Sequence, residues 1–199
     1  MGIVRTEGPA RRRTADRFPK GGKFGNWGAE KALVAIGGPA VAPLIDAFRS
    51  ETANGQFREK AAKVLGELKD AGAVPPLLEG VAANDRSLPR VCAEALGKIG
   101  GAPAADGLIA TLASNNPVAR QYAAQALGEL KETRAVSALI GLMADQDRNL
   151  RGAAARALGE IGDPSAIDAL VNGLTDPKLS TEREISDALS KCATPGRAL

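Results

Sequence analysis

Apolar residues return along this chain with a constant period of 31. The stretches that carry them are KAAKVLGEL, VCAEALGKI, YAAQALGEL and GAAARALGEI, and their shared leucines are Leu65, Leu96, Leu127 and Leu158. Leu189, in ISDALSKC, extends the series. In the four stretches, apolar side chains also lie three and four positions before the leucine and three after it, which is one face of an α-helix. Each unit is therefore predicted to contain a first helix around its leucine.

A second apolar set follows nine, twelve, thirteen and sixteen positions after each leucine, and this spacing predicts a second amphipathic helix. The segments KDAGA, GGAPA, KETRA and GDPSA separate the two helices, and ANDRS, SNNPV, DQDRN and DPKLS follow the second one. Both groups are rich in residues that end one helix and cap the next. Because a single helix pair cannot bury its own apolar faces, neighbouring pairs must stack into an α-solenoid.

We therefore predict an all-α fold, a right-handed α-solenoid of about five and a half helix pairs. Its units cover residues 28–54, 55–85, 86–116, 117–147 and 148–178, with a terminal half-unit at 179–194 and a tail at 195–199. The first unit is an irregular cap. Residues 1–27 precede the solenoid as a basic, flexible arm.

A glycine directly follows the leucine in four units, at Gly66, Gly97, Gly128 and Gly159. Glycine inside a helix costs about 1 kcal/mol relative to alanine, so four occurrences need a common reason. The expected reason is the close approach of a neighbouring helix, since the absence of Cβ lets two helix axes come nearer.

The pattern R-x-x-A-A-x-A-L-G-x-I-G-D-P-x-A-I-x-x-L is almost complete from Arg151 to Leu170, and it resembles the short HEAT repeat of the phycobilisome-lyase type. The resemblance covers residues 28–193. Proteins with this repeat include bilin lyase subunits, phycobilisome degradation factors and adaptors, so the resemblance implies a binding surface. It also implies that the second helix of each pair lines the concave face of the solenoid.

On the second helices, the polar-side positions are small or acidic and include no arginine, lysine or aromatic residue. The residues predicted there to contact a protein partner are Asp46, Glu79, Asp106, Ser137, Asp168 and Asn172. Their carboxylates would meet basic groups on the partner. The alternative is that alanine and glycine on this face only permit tight curvature. A groove that follows a phosphate backbone would need basic residues here, so nucleic acid is not expected on this face.

The first helices carry charges of alternating sign, which predicts a solvated face with ion pairs four residues apart. Arginines also recur near the start of these helices, close to acidic residues of the turns. We expect an Arg–Asp ladder between units, with a phosphate site as the alternative. Its members would be Arg58, Arg120 and Arg151 with Asp85, Asp145, Asp147 and Asp176.

The chain contains no histidine and only 3% aromatic residues. It therefore has no Ser-His-Asp or Cys-His arrangement and no histidine metal ligand. Acidic pairs such as Asp145 with Asp147 fall at helix starts, where they stabilise the helix N-terminus. We predict no enzymatic activity, no metal and no cofactor. Cys92 and Cys192 are expected to be buried and too far apart for a disulfide, with Cys192 the better candidate for a reactive thiol.

The net charge of +3 divides unevenly, because residues 1–25 carry +5 and the rest of the chain carries −2. Phenylalanines at 18 and 24 lie among the basic residues of this arm. Such a segment suits RNA, DNA or an acidic protein surface. It could instead fold over the first cap, remain disordered, or pair with the acidic face of its own chain or a neighbour. The residues predicted to meet an anionic partner are Arg11, Arg12, Arg13, Arg17, Lys20, Lys23 and Trp27.

These patterns favour a non-enzymatic scaffold or adaptor that binds a protein partner on its concave face, with the arm as a second contact. A bilin lyase-like or chromophore-handling subunit is one alternative, implied by the resemblance alone. A nucleic-acid-binding accessory protein acting through the arm is the other. Without an apolar run of about 18 residues or a secretion signal, we expect a cytoplasmic protein that does not insert into membranes. The partner, its pathway and the oligomeric state stay open.

Overall fold

The computed structural model describes residues 27–50, 53–175 and 181–193, and within them it contains eleven α-helices and no strand. The odd-numbered helices are the first helices of the units, and the even-numbered ones are the second helices. The bounds are α1 Trp27–Ile36, α2 Val41–Arg49, α3 Gly55–Leu68, α4 Val74–Val81, α5 Leu88–Ile99, α6 Gly101–Thr111, α7 Pro117–Glu129, α8 Val136–Leu142, α9 Arg148–Ile161, α10 Ile167–Thr175 and α11 Glu182–Cys192. Five pairs and a final single helix confirm the predicted all-α solenoid.

The turns between units start the first helices through side-chain caps. Asn54 accepts a hydrogen bond from the backbone N–H of Phe57 at 2.8 Å, and Asp147 accepts one from Asn149 at 2.8 Å. Asn116 does the same for α7. These are the residue types that satisfy the free N–H groups of a helix start.

Four residues after the repeat leucine, the backbone turns to positive φ and ends the first helix. Lys69, Lys131 and Gly162 adopt a left-handed conformation there, with φ values of 53°, 52° and 71°. In the three units where these residues end the first helix, a short 3-10 turn leads into the second helix, and an acidic side chain caps it. The two helices of each unit are thereby folded back on each other.

The core lies between the two layers of helices. The repeat leucines of α3, α5, α7 and α9 have no exposed surface, and neither do their counterparts in the second helices. The latter are Leu77, Leu108, Leu139 and Leu170. The sequence period therefore marks the residues that join the layers.

Successive first helices approach each other closely at three of the four glycines. A Cβ on Gly66 would lie 2.9 Å from Cα of Ala95, and one on Gly159 would lie 2.6 Å from Cα of Ala188. At Gly128 the corresponding distance, to Ala157, is 2.8 Å. The close approach predicted from the sequence is confirmed at these positions. Gly97 differs, because its Cβ would meet only a carboxylate oxygen of Glu129, at an ordinary 3.5 Å.

Successive second helices pack less extensively on one another than successive first helices do. The first helices pack directly on one another along the array. Among the second helices, α2, α4 and α6 make few contacts with one another, and α8 makes fewer still with α6 and α10. The tightest junctions of the array therefore lie between first helices.

Within the described ranges, no single helix is long and apolar enough to cross a membrane. The segments 29–36 and 38–49 reach the required length and composition only together, and a bend of 117° separates them.

Candidate functional site

The six residues predicted to bind a partner form one set on the outward side of the second helices, which we call the second-helix face. Asp46 lies on α2, Glu79 on α4 and Asp106 on α6, and all three are exposed. Ser137 on α8 is also exposed, as are Asp168 and Asn172 on α10. The second helices turn their apolar side to the core, so these positions are left facing solvent.

Two arginines reach this face, contrary to the expectation that it carries no basic group. Arg49, the last residue of α2, donates from Nε and Nη2 to the two carboxylate oxygens of Glu79 at 3.1 and 2.5 Å. Arg134, in the turn before α8, donates to Asp106 at 2.7 Å and to Glu132 at 2.9 Å. The hydrogen bond that Arg49 donates to Glu79 raises the pKa of Arg49, and the one that Arg134 donates to Glu132 lowers the pKa of Glu132. Both arginines lie outside the helical positions considered from the sequence, at a helix end and in a turn.

The second-helix face ends in a mixed patch on α10, which we call the α10 patch. Val171 and Leu174 are 45% and 42% exposed beside Asp168 and Asn172. In the preceding units the counterparts of Leu174 are buried, namely Val81, Leu112 and Met143. No second helix follows α10 in the part of the chain that the structure describes. Sequence reasoning missed this patch because both residues belong to the regular apolar pattern.

Asp168 differs from Glu79 and Asp106 in its electrostatic surroundings. It forms no ion pair with any described residue, whereas each of the other two carboxylates is paired with an arginine. Asp168 is therefore the carboxylate of the α10 patch that a basic group on another molecule can approach without displacing an existing partner.

The first-helix side carries charges of both signs, as the sequence predicted. Lys98 pairs with Glu67 of the preceding unit at 2.5 Å, and Arg90 pairs with Glu94 four residues later. Glu160, on the same side, has a raised pKa, because its carboxyl group is partly buried and lies near the carboxylate of Glu129.

An open groove lies between α5 and α7, at the junction where Gly97 makes no close contact. It is shallow and open to solvent, and its lining residues are Arg90, Ala93, Glu94, Tyr122, Gln125, Ala126 and Glu129. The looser packing of these two first helices explains the groove.

One rung of the expected Arg–Asp ladder is present among the described residues, between Arg120 and Asp145. Its carboxylate accepts a hydrogen bond from Nη1 of Arg120 at 2.7 Å and from the backbone N–H of Asp147 at 2.9 Å. Its carbonyl oxygen accepts one from Nη1 of Arg151, also at 2.9 Å. Arg58 instead lies over the ring of Phe48, 5.0 Å from its centroid. The guanidinium groups of Arg120 and Arg151 thus serve protein acceptors, which supports the ladder over a phosphate site. Asp176 lies outside the described residues.

Both cysteines are free and buried. Burial raises the pKa of Cys92 to about 12, and it also raises the pKa of Cys192, whose side chain is 1% exposed. A reactive thiol needs access and a lowered pKa. The burial of Cys192, whose side chain α11 turns into the core, does not favour it as a candidate for a reactive thiol.

The predicted basic residues of the arm, from Arg11 to Lys23, lie outside the described residues. Trp27, which the sequence placed in the arm, is the first residue of α1.

The sequence matches the family of HEAT repeats over residues 41–116 and 105–190. The chain belongs to the HEAT repeat family. Proteins of this fold generally serve as interaction scaffolds rather than enzymes. No curated protein matches this HEAT repeat protein in sequence.

Solved structures share the fold at low identity. One, from a study of microtubule plus-end tracking by XMAP215, CLIP-170 and EB1, has a TM-score of 0.59 and 19% identity over 80% of this chain and 81% of that one. Human deoxyhypusine hydroxylase has a TM-score of 0.51 and 18% identity over 82% and 78%. The CpcE–CpcF complex of phycocyanin lyase from a Nostoc species covers 96% and 99% at 18% identity, with a TM-score of 0.38 that is too low to bear on function.

Proposed function

We propose that this HEAT repeat protein is a non-enzymatic scaffold that binds a protein partner through its second-helix face, with the basic arm as a second contact. The α10 patch is the observation that supports this proposal most directly. Its exposed Val171 and Leu174 are bordered by Asp168 and Asn172. An apolar centre with a polar rim is the usual composition of a protein interface.

On the rest of the second-helix face, the carboxylates of Glu79 and Asp106 are already neutralised. The pairs Arg49–Glu79 and Arg134–Asp106 each join neighbouring units. A partner that meets them gains little from charge, because each carboxylate has a cation. The patch around Asp168 is where a basic group on the partner would be recognised.

The chemistry of the described residues supports a binding role rather than catalysis. The acidic pair Asp145 and Asp147 is engaged in capping and in the Arg–Asp ladder. Both thiols are buried with raised pKa values. None of these groups is left free to exchange a proton with a substrate or to attack one.

The arm would make the attachment bivalent. Residues 1–25 carry a net charge of +5, so they suit an acidic region of the same partner. Two linked contacts bind more tightly than either one alone, because the second forms at a high effective concentration.

The proposal is tested by affinity purification of the full chain from its native host, compared with variants. The double variant Asp168→Lys with Val171→Asp should lose the partner while its helicity and melting temperature stay close to wild type. The matched control is Glu129→Lys, which reverses an exposed carboxylate on the first-helix side and should retain the partner. Removal of residues 1–25 should weaken the binding without abolishing it.

Retention of the partner by the double variant would refute binding at the second-helix face, and release by Glu129→Lys would assign the partner to the first-helix side. Recovery of nucleic acid alone, lost with residues 1–25 and at high salt, would favour the nucleic-acid alternative. Co-purification of a pigment would favour the chromophore-handling alternative.

A further inference from the structure

One ridge of the first helices is covered in every unit except the first. It comprises the residues four positions and one position before the repeat leucine. From α3 onwards these residues are at most 3% exposed, because the helices of the preceding unit lie on them. Gly66 of α3 faces Ala95, for example, and Gly80 of α4 faces Cys92. They are Ala61, Val64, Cys92, Ala95, Ala123, Ala126, Ala154, Ala157, Ile185 and Ala188.

The corresponding ridge of α1 is uncovered. Leu33 occupies the place of the repeat leucine and packs against the core. Ala29 and Ala32 then form the ridge, and Ile36 extends it one turn further. Ala32 is exposed and Ile36 is 56% exposed, the largest fraction among the described large apolar residues. The ridge keeps the apolar character that its counterparts have beneath a neighbouring helix.

The opposite end of the described array is built differently. In α11 the glycine position is held by Ser190, and the position of the buried alanine four residues earlier is held by an exposed serine, Ser186. A terminal unit of a solenoid needs such a polar outer face to remain soluble. The described array therefore has a polar end at α11 and an apolar end at α1.

The segment directly before α1 supplies the side chains that such a ridge accepts. It contains Phe18 and Phe24 among its basic residues. Phe18 lies nine residues before Trp27, and nine extended residues span up to about 30 Å. The ten-residue helix α1 is about 15 Å long, so the ring of Phe18 can reach the whole ridge. Phe24 lies three residues before Trp27 and spans at most about 10 Å, so its ring reaches the first turns of α1. In each later unit, likewise, the ridge is covered by the part of the chain that precedes it in the sequence.

We propose that Phe18 and Phe24 pack on the ridge of α1 formed by Ala29, Ala32 and Ile36. The segment then acts as the missing cap of the solenoid and fixes the neighbouring basic residues at one end of the array. This contact is driven by apolar burial, so salt does not weaken it. The proposed packing of Phe18 and Phe24 on α1 does not depend on whether the second-helix face binds a partner.

Hydrogen exchange of the full chain, read by mass spectrometry, tests the proposal. Amides around residues 18–24 should exchange at least tenfold more slowly than those of a synthetic peptide of residues 1–26, in low salt and in 0.5 M NaCl alike. Ile36→Asp should restore the rate of the peptide. Val118→Asp is the matched control, because Val118 is a similarly exposed apolar residue, at 42%, on the distant helix α7. It should leave the protection unchanged.

A second variant keeps the test independent of folding. Phe18→Ser with Phe24→Ser lies outside the helices of the array and should abolish the protection as Ile36→Asp does. Exchange at the peptide rate in the wild type, or protection that survives Ile36→Asp, would overturn the proposal. Protection that disappears on dilution, together with a dimer in light scattering, would assign the ridge to a second copy and overturn it equally.

Discussion

At the scale of single residues, the glycines after the repeat leucines set the distance between units. Gly66, Gly128 and Gly159 lie against the backbone of the next first helix, where a methyl group has no room. Gly97 has the same position in the repeat but faces only the flexible end of Glu129. The cost of glycine in a helix is therefore offset by packing at three positions and remains uncompensated at the fourth.

We expect Gly128→Ala to lower the free energy of unfolding by about 1–3 kcal/mol, because the new Cβ forces α7 and α9 apart. Gly66→Ala and Gly159→Ala should act in the same direction. Gly97→Ala should be neutral or raise the stability by up to about 1 kcal/mol through its better helix propensity. Urea denaturation followed by circular dichroism measures each value. Equal losses at all four positions would contradict the packing described for Gly97.

At the scale of elements, the turn between α8 and α9 is held to α7 through Asp145. The backbone N–H of Asp147 and then the guanidinium of Arg120 hold the pKa of this carboxyl below its ordinary 3.8. An acid with a lowered pKa in the folded state stabilises the fold when ionised. Its contribution is complete above the ordinary pKa and is lost as the pH falls through the lowered one.

We expect Asp145→Asn to destabilise the protein by about 1–2 kcal/mol at pH 7, since the amide keeps the shape of the cap but loses the charge. The difference from wild type should shrink as the pH falls below 3.8. Denaturation with urea at pH 7 and pH 3 measures it. Asp187→Asn, at an exposed carboxylate of α11 that forms no ion pair with a described residue, serves as the control and should change little at either pH. If the free energies of unfolding of Asp145→Asn and wild type differed by the same amount at pH 7 and pH 3, the stabilising role assigned to the Asp145 carboxylate would be contradicted.

At the scale of the whole molecule, the array is a row of junctions of unequal tightness. The junctions at Gly66, Gly128 and Gly159 are close, whereas the one between α5 and α7 holds the groove beside Tyr122. Each unit of a solenoid contacts only its neighbours, so a loosely packed junction opens more readily than a close one.

Native-state hydrogen exchange should therefore show a lower opening free energy for amides of α5 and α7 than for those of α9, which has a close junction on each side. Low concentrations of urea should promote that opening before the global transition. Opening free energies that are equal along the first helices would show that the groove does not weaken the stack.

The fold could be predicted because the feature that decides it is local: a leucine that recurs at a constant interval, with apolar neighbours at helical spacing. The exposure of the second-helix face followed from the same pattern. Arg49 and Arg134 were missed since their reach to Glu79 and Asp106 spans two units. The exception at Gly97 likewise depends on a neighbour's distance rather than on its own sequence.

The contact between a glycine of one first helix and an alanine of the next recurs in a similar form at three junctions. Ala95, Ala157 and Ala188 present the same small surface to the preceding unit, so one copy of a unit can follow another without a change in the contacting residues. A gene that duplicates one unit in frame would therefore encode a longer array with the same local geometry. A unit added after α11 would not pack in this way, because Ser190 occupies the glycine position. The close contact would form there only if Ser190 were replaced by glycine.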